Sequence, residues 1–147
     1  MVVVASQDVP SSRDYRRLLA LRTGLRLFLR WSEAQAKAQG LTPTQHQLLL
    51  AIRGHTEPQG PTIGEIAEYL VIRHNSAVGL VDRAAAAGLV VREADEARVG
   101  VVRVRCTELG EARLDALSRL HAAELSRLAP TMDALWHALD EGSAAGH

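Results

Sequence analysis

The chain has 147 residues, of which 47% are hydrophobic and 23% are charged, and its 17 basic side chains are balanced by 17 acidic ones. A chain of this length normally forms one domain. Its apolar fraction is large enough to build a core, which excludes a chain that is disordered throughout. The single cysteine, Cys106, excludes a disulfide framework and a paired-cysteine zinc site. We therefore expect an intracellular protein located in the cytoplasm.

Neither the amino-terminal segment nor the longest apolar stretch indicates export or membrane insertion. The amino-terminal MVVVA is apolar, but it lacks a basic start and soon becomes polar, so no signal peptide is expected. The longest stretch without a polar side chain, residues 84–91, is under half of the roughly 20 residues that span a bilayer. The zero net charge hides an uneven distribution, because residues 73–105 carry six basic and four acidic side chains, whereas residues 106–147 carry three and seven.

The first half of the chain predicts three helices. Apolar residues recur every three or four positions over residues 12–40, which predicts an amphipathic helix of about 42 Å that needs a second surface to cover it. Gly40 is expected to end this helix, and TPTQ at residues 42–45 to open the next one with a capping box. TIGE at residues 62–65 repeats that capping pattern before a short helix.

The second half predicts one more helix, a hairpin and a long helical segment. Residues 74–87 form a helix with a small apolar face, and Gly88 ends it. Residues 89–92 and 101–105 are rich in β-branched residues and predict a two-stranded hairpin with a charged tip. After Thr107, a long helix is expected to run to Pro130, which interrupts it before a shorter helix restarts.

A short helix, a tight turn, a second helix and a hairpin in this order are typical of a winged helix-turn-helix, whose second helix enters the major groove of DNA. Small and polar residues on that helix would allow close approach, and its arginines would reach phosphates. The candidate DNA contacts on this helix are Arg73, His74, Asn75, Ser76, Gly79 and Arg83. Those on the hairpin are Arg92, Arg98 and Arg103. The alternative is a protein-interaction module that uses the same fold without DNA.

Several motifs resemble the MarR (multiple antibiotic resistance regulator) family of bacterial transcription factors. LTPTQHQLLL at residues 41–50 is similar to the family's LT-x-x-Q-x-x-x-L helix, and IGEIA at residues 63–67 to its x-x-E-L-A helix. LVDR at residues 80–83, with AGLV at residues 87–90, resembles LVDRL…GLV, and TELG at residues 107–110 resembles LT-x-x-G. The order and spacing of these motifs over most of the chain make the resemblance specific.

The resemblance implies a mainly α fold with a small β-hairpin wing, in which one domain spans residues 1–147 and two chains intertwine as a homodimer. Helices at residues 12–40 and 108–141 would form the dimer, and residues 42–105 would form the winged helix-turn-helix lobe. It also implies a ligand-responsive regulator, usually a repressor, that binds a pseudo-palindromic operator. A transcriptional activator with the same fold is the alternative that stays open.

The family's effectors are often small phenolic or other aromatic anions. An arginine beside an aromatic ring suits such an anion, so Arg22, Arg26 and Trp31 are the candidate ligand-binding residues. The simpler interpretation is that Trp31 and Trp136 pack the dimer core. Arg22, Arg26 and Arg30 then pair with acidic residues of the carboxyl-terminal helices.

One departure from the family pattern concerns the wing. Members usually carry Asp-x-Arg nine and seven residues before the threonine that corresponds to Thr107, and here those places hold Arg98 and Gly100. A re-formed tip over residues 95–98 is the hypothesis that keeps Arg98 in the minor groove.

No pattern supports catalysis, a metal site or a cofactor. The carboxylates occur singly, and neither a nucleophile elbow nor a phosphate-binding glycine loop is found in the sequence, so an enzyme is not expected. His46 and His55, or His121 with Glu124, fall short of four zinc ligands. Cys106 is interpreted as a small buried hydrophobic residue instead of a redox sensor.

Overall fold

The computed structural model describes residues 9–144, without the side chains of residues 135, 136 and 138–144. This part of the chain is mostly helical and contains one antiparallel hairpin, as expected. Its elements are α1 (Ser12–Ala38), α2 (Pro43–Gly54), α3 (Ile63–Leu70), α4 (His74–Ala86), β1 (Val90–Ala94), β2 (Val102–Cys106) and α5 (Glu108–Ala144). The chain divides into two compact units, one formed by residues 32–120 and one by the two ends, up to Trp31 and from His121 onward.

The unit of residues 32–120 contains a continuous hydrophobic core. Leu48 and Leu49 of α2, Ile66 of α3 and Val81 of α4 are completely buried, and so is Leu89 before the hairpin. The remaining core residues come from the same three helices, from the end of α1 and the loop after it, from the hairpin and from the first turns of α5, and they are Ala36, Leu41, Ile52, Ala67, Ala77, Leu80, Ala84, Val90, Val104, Leu114 and Leu117. Helices α2, α3 and α4 therefore pack as one lobe with the hairpin against them.

The predicted helix ends of this lobe are found where the sequence signals place them. Gly40 adopts a φ of 74° and ends α1, a left-handed conformation that glycine reaches at little cost. Thr42 and Gln45 form the predicted capping box, with the Gln45 amide 3.1 Å from the Thr42 hydroxyl and the Thr42 amide 3.0 Å from Gln45 Oε1. Thr62 likewise accepts from the Glu65 amide at 3.2 Å.

The hairpin pairs Val90 with Cys106 and Ala94 with Val102, so residues 95–101 form its tip. A third segment lies beside β2, because the Val104 amide donates to the Pro61 carbonyl at 2.9 Å. Gly60 makes this approach possible, since a Cβ there would lie 2.2 Å from the Val104 carbonyl oxygen. The base of the wing is thus clamped to the loop before α3.

The junction between the hairpin and α5 is built on the Leu89 carbonyl. It accepts from the Thr107 amide at 3.0 Å, while the Thr107 hydroxyl accepts from the Gly110 amide at 3.1 Å and thereby caps α5. A Cβ on Gly110 would lie 2.2 Å from that same carbonyl oxygen. The first turn of α5 is therefore held in backbone contact with the hairpin.

The expected interruption at Pro130 is wrong, because α5 is a single helix in which Pro130 is an interior residue. A proline inside a helix removes one backbone hydrogen bond and strains the preceding turn, but a long helix can continue through it.

The unit formed by the chain ends has a different character. None of its described residues is buried, although it carries many large apolar side chains. Leu19, Leu27 and Leu29 of α1 are 55–64% exposed, and Leu125 of α5 is 54% exposed.

None of the described helices is long and apolar enough to cross a membrane.

Gly110→Ala should destabilise the lobe by about 1–3 kcal/mol, because the new methyl group overlaps the Leu89 carbonyl and the backbone must shift. Urea denaturation measures this free energy. Gly64→Ala is the matched control, since a Cβ there meets only the Thr62 hydroxyl at 3.8 Å. Equal stability of the two variants would contradict the proposed close contact.

Candidate nucleic-acid interface

Helix α4 has one buried and one exposed face. Ala77, Leu80, Val81 and Ala84 are buried against the lobe, as the sequence predicted. Two alanines in this set allow the helix to pack closely, and the polar positions are left on the surface. The exposed positions in and just before α4 include Arg73, His74, Asn75, Ser76, Asp82 and Arg83.

The amino-terminal end of α4 leaves hydrogen-bond donors available. Arg73 occupies the N-cap position, but its side chain makes no capping hydrogen bond. The first backbone N–H groups of a helix have no partner within the helix, and an anion such as phosphate can accept from them. His74, Asn75 and Ser76 surround this end with short polar side chains.

Gly79 and Arg83 lie one turn apart on α4. A Cβ at Gly79 would meet a guanidinium nitrogen of Arg83 at 3.2 Å. The absence of a side chain at Gly79 therefore gives Arg83 room to lie along the helix surface.

Two hairpin arginines are engaged in ion pairs at the surface. Arg92 of β1 donates to the Asp82 carboxylate of α4 and so joins the wing to this helix. Arg105 of β2 lies 3.4 Å from Glu93 across the hairpin. The Arg92 pair also neutralises the one acidic side chain on the exposed face of α4, which would otherwise repel phosphates.

The expectation that Arg103 contacts DNA is corrected by its position. Its side chain is only 4% exposed, and its Nε donates to Asp95 Oδ2 at 2.8 Å. Its NH1 nitrogen lies 3.1 Å from Glu57 and 3.6 Å from Glu65. A guanidinium buried among three carboxylates is not available to phosphates or bases.

The wing tip is organised by Asp95. Its Oδ1 accepts from the amides of Ala97 at 2.8 Å and Arg98 at 2.9 Å, so residues 95–98 form an Asx-type turn. The hydrogen bond from Arg103, together with these two amides, lowers the pKa of Asp95 to about 2. The Arg98 side chain is exposed at this tip.

Sequence reasoning did not identify Glu57 and Glu65 as parts of this region. Glu65 was recognised only as a capping residue of α3. The Thr62 hydroxyl donates to its Oε1 at 3.1 Å, and its Oε2 lies 3.0 Å from Nε2 of the buried His55 ring. The sequence contains a signal only for the turn at the wing tip. In DEAR at residues 95–98, an aspartate precedes free backbone amides by two and three residues, which favours an Asx-type turn.

The residues predicted to bind an effector lie in α1. Arg22 and Arg26 are exposed, and within the described part of the chain neither they nor Arg30 form an ion pair, so the expected acidic partners are not found there. Trp31 is half-buried and packs edge-on against His121 with ring centroids 5.0 Å apart. The Trp136 side chain lies outside the described residues, and the effector site stays a prediction.

Cys106 is half-buried at the end of β2. Desolvation raises the pKa of its thiol to about 11, so the thiol stays protonated at neutral pH. Among the described residues, no group of three or more histidine, cysteine, aspartate or glutamate side chains could hold a metal ion.

Comparison with known proteins gives a consistent assignment. A model of the MarR family matches residues 39–98, which include α2, α3, α4 and β1. No curated protein matches the sequence. A MarR family transcription regulator is similar in structure, with a TM-score of 0.72 and 19% identity over 89% of this chain and 87% of that one.

Two further structures have the same fold. A MarR family protein from Bacillus stearothermophilus has a TM-score of 0.70 and 21% identity, over 92% of this chain and 99% of that one. The MepR–DNA complex of Staphylococcus aureus has a TM-score of 0.68 and 14% identity, over 86% of this chain and 96% of that one.

The family match covers the lobe that carries α4 and the first strand of the wing, and the fold similarity extends over most of the chain. The chain therefore has the winged-helix fold of these MarR family structures, and its residues 39–98 match the model of that family.

Proposed function

We propose that the chain is a sequence-specific DNA-binding transcription regulator whose α4 enters the major groove. The observation that carries this proposal is the two-sided character of α4, which is fully buried on its small apolar face and polar on its exposed face. Asn75 and Ser76 can hydrogen-bond base edges, and Arg73 and Arg83 can reach phosphates. A solved complex of S. aureus MepR with DNA, which has the same fold, supports the proposal.

The charge of the lobe is compatible with this role despite the neutral chain. Residues 73–105 have a net charge of +2, from six basic and four acidic side chains. Asp82, Glu93 and Asp95 are each paired with an arginine of the hairpin. Arg73, Arg83 and Arg98 therefore remain to contact a nucleic acid.

Arg83→Ala should weaken binding to DNA, because it removes a phosphate contact. We expect about 5- to 100-fold lower affinity, and a slope of log K against log salt that is shallower by about 0.9. A gel-shift titration with a duplex taken from the intergenic region beside the protein's own gene, at several salt concentrations and with competitor DNA, measures both quantities.

Arg53→Ala is the matched control, because it removes the same charge from an exposed residue of α2 that lies 3.9 Å from Glu111. Its affinity should stay within about twofold of the wild type. A wild-type protein without a salt-sensitive, competitor-resistant shift would refute DNA binding and favour the protein-interaction module. Equal losses in both variants would remove Arg83 from the interface.

The dimer is supported by the exposed apolar residues of the chain ends. Large apolar side chains at 54–64% exposure on α1 and α5 are costly in water, and a second copy would cover them. The proposed organisation is one MarR-type domain in which residues 12–40 and 108–141 form the dimer and residues 42–105 form the DNA-binding lobe. Two α4 helices could then enter successive major grooves about 34 Å apart.

Leu29→Glu should convert the dimer into a monomer, since a charge in an apolar interface loses its hydration. Sedimentation velocity should give a wild-type mass of twice the 15.9 kDa of one chain. Leu50→Glu is the control, because Leu50 has nearly the same exposure, 54% against 55%, but belongs to the lobe. A monomeric wild type would contradict the proposal.

The resemblance to the MarR family supports a proposal for the finer regulatory properties. We propose a cytoplasmic, ligand-responsive repressor of a pseudo-palindromic operator, and a regulator instead of an enzyme. A small aromatic or phenolic anion near Arg22, Arg26 and Trp31 would release DNA by favouring the dimer conformation that does not fit the operator. A reporter behind the same intergenic region distinguishes repression from activation, since deletion of the gene raises expression in the first case and lowers it in the second.

A further inference from the structure

We infer that Arg103 is a positioning residue that fixes the wing tip through Asp95, so that Arg98 is presented to DNA. This inference rests on the proposed DNA binding and names the residues that give the wing its shape. Arg103 itself does not contact nucleic acid, because its side chain is buried in the protein.

One end of the Arg103 guanidinium is anchored to the body of the lobe. Its NH1 donates to the Gly60 carbonyl at 3.1 Å and lies 3.1 Å from Glu57. Glu65, on the first turn of α3, lies 3.6 Å from the same nitrogen. The guanidinium is planar and its donors have a fixed geometry, so these contacts determine its orientation.

The Nε side of the Arg103 guanidinium holds the tip of the hairpin. Its Nε donates to Asp95 Oδ2 at 2.8 Å, and the Asp95 side chain is only 3% exposed. The second oxygen of the same carboxylate accepts from the amides of Ala97 and Arg98. One carboxylate therefore connects the anchored guanidinium to the backbone of Arg98.

The rest of the tip is closed by backbone hydrogen bonds. The Asp95 amide donates to the Val101 carbonyl at 2.8 Å, and the Val101 amide donates to the Arg98 carbonyl at 3.3 Å. Gly100 turns the chain with a φ of 81°, a conformation that other residues rarely adopt. Both the amide and the carbonyl of Arg98 are thus held.

Arg98 is the hairpin arginine whose side chain is available to bind DNA. Arg92 pairs with Asp82, Arg105 with Glu93, and Arg103 is buried. Within the described part of the chain, the Arg98 side chain has no ion pair and is exposed at the tip. A fixed backbone at Arg98 limits the directions its side chain can take, which lowers the entropy lost on binding.

This tip replaces the usual arrangement of the resembled family. Where the motif would have an aspartate, this chain has Arg98, and where it would have the tip arginine, it has Gly100. In this structure the tip is held instead by Asp95, three residues before Arg98, and by Arg103 of β2.

A double-mutant cycle tests the inference, with affinity measured by titration of the same intergenic duplex. Asp95→Asn is the key variant, since an asparagine keeps one oxygen for the Ala97 and Arg98 amides but loses the charged partner of Arg103. Arg98→Ala should lower affinity about 5- to 100-fold. Asp95→Asn should lower it by a similar factor in the wild-type background, and by less than twofold when Arg98 is already alanine.

Glu111→Gln is the matched control. It also removes one carboxylate that lies beside an arginine, Arg53, but Glu111 lies outside the cluster around Arg103. It should leave the affinity within twofold of the wild type, and thermal unfolding should show that both single variants fold. Arg103→Ala is unsuitable as the main variant, because it would leave three carboxylates without their shared cation.

The outcomes separate this inference from the proposed function. If the wild type does not bind the duplex, DNA binding itself fails. If the wild type binds but Asp95→Asn has no effect, or if the losses of Asp95→Asn and Arg98→Ala multiply in the double variant, Arg103 and Asp95 do not act through Arg98. If Glu111→Gln weakens binding as much as Asp95→Asn, the loss comes from the removed charge and not from the contact between Arg103 and Asp95.

Discussion

Arg103 of β2 is buried, and its guanidinium lies within 3.6 Å of carboxylates from three different segments of the chain. A buried charge is costly unless it is paired and hydrogen-bonded, so these segments must stay close together for the lobe to keep its shape. They are the loop before α3, the first turn of α3 and the tip of the hairpin. The same interaction therefore fixes the wing relative to the helix-turn-helix.

The second constraint is the contact between backbone segments. Gly60 allows the loop before α3 to pair with β2, and Gly110 allows the first turn of α5 to rest on the Leu89 carbonyl. Both approaches leave no space for a Cβ, since it would lie 2.2 Å from a carbonyl oxygen. The hairpin is held at its base by these contacts and at its tip by Asp95, and Arg92 of β1 pairs with Asp82 of α4. The wing and α4 therefore form one fixed surface.

Local signals predicted much of this fold. These signals depend on neighbours within a few residues, so the sequence alone reveals them. They are the threonines that cap α2 and α3, the glycine that ends α1 and the helical period of the buried positions on α4. The exposed polar face of α4 followed from the same periodicity. The resemblance to the MarR family added the arrangement of the elements, which local signals do not determine.

The features that sequence reasoning missed depend on contacts between distant residues. Arg103 was predicted to contact DNA from the hairpin, but both Arg103 and Val104 are buried because the segment around Pro61 covers β2. Glu57, 46 residues before Arg103, could not be connected to it without the fold. Pro130 was expected to break α5, since propensity favours a break there, and the long helix nevertheless continues through it.

The central claim is that α4 and the wing of each copy act together on one DNA site. Hydroxyl-radical footprinting of the wild-type protein on the intergenic duplex tests it most directly. The account predicts a symmetric footprint with two protected regions about one helical turn apart, flanked by minor-groove protection where the wing tips lie. A single unsymmetrical region, or weak and even protection along the whole duplex, would contradict it.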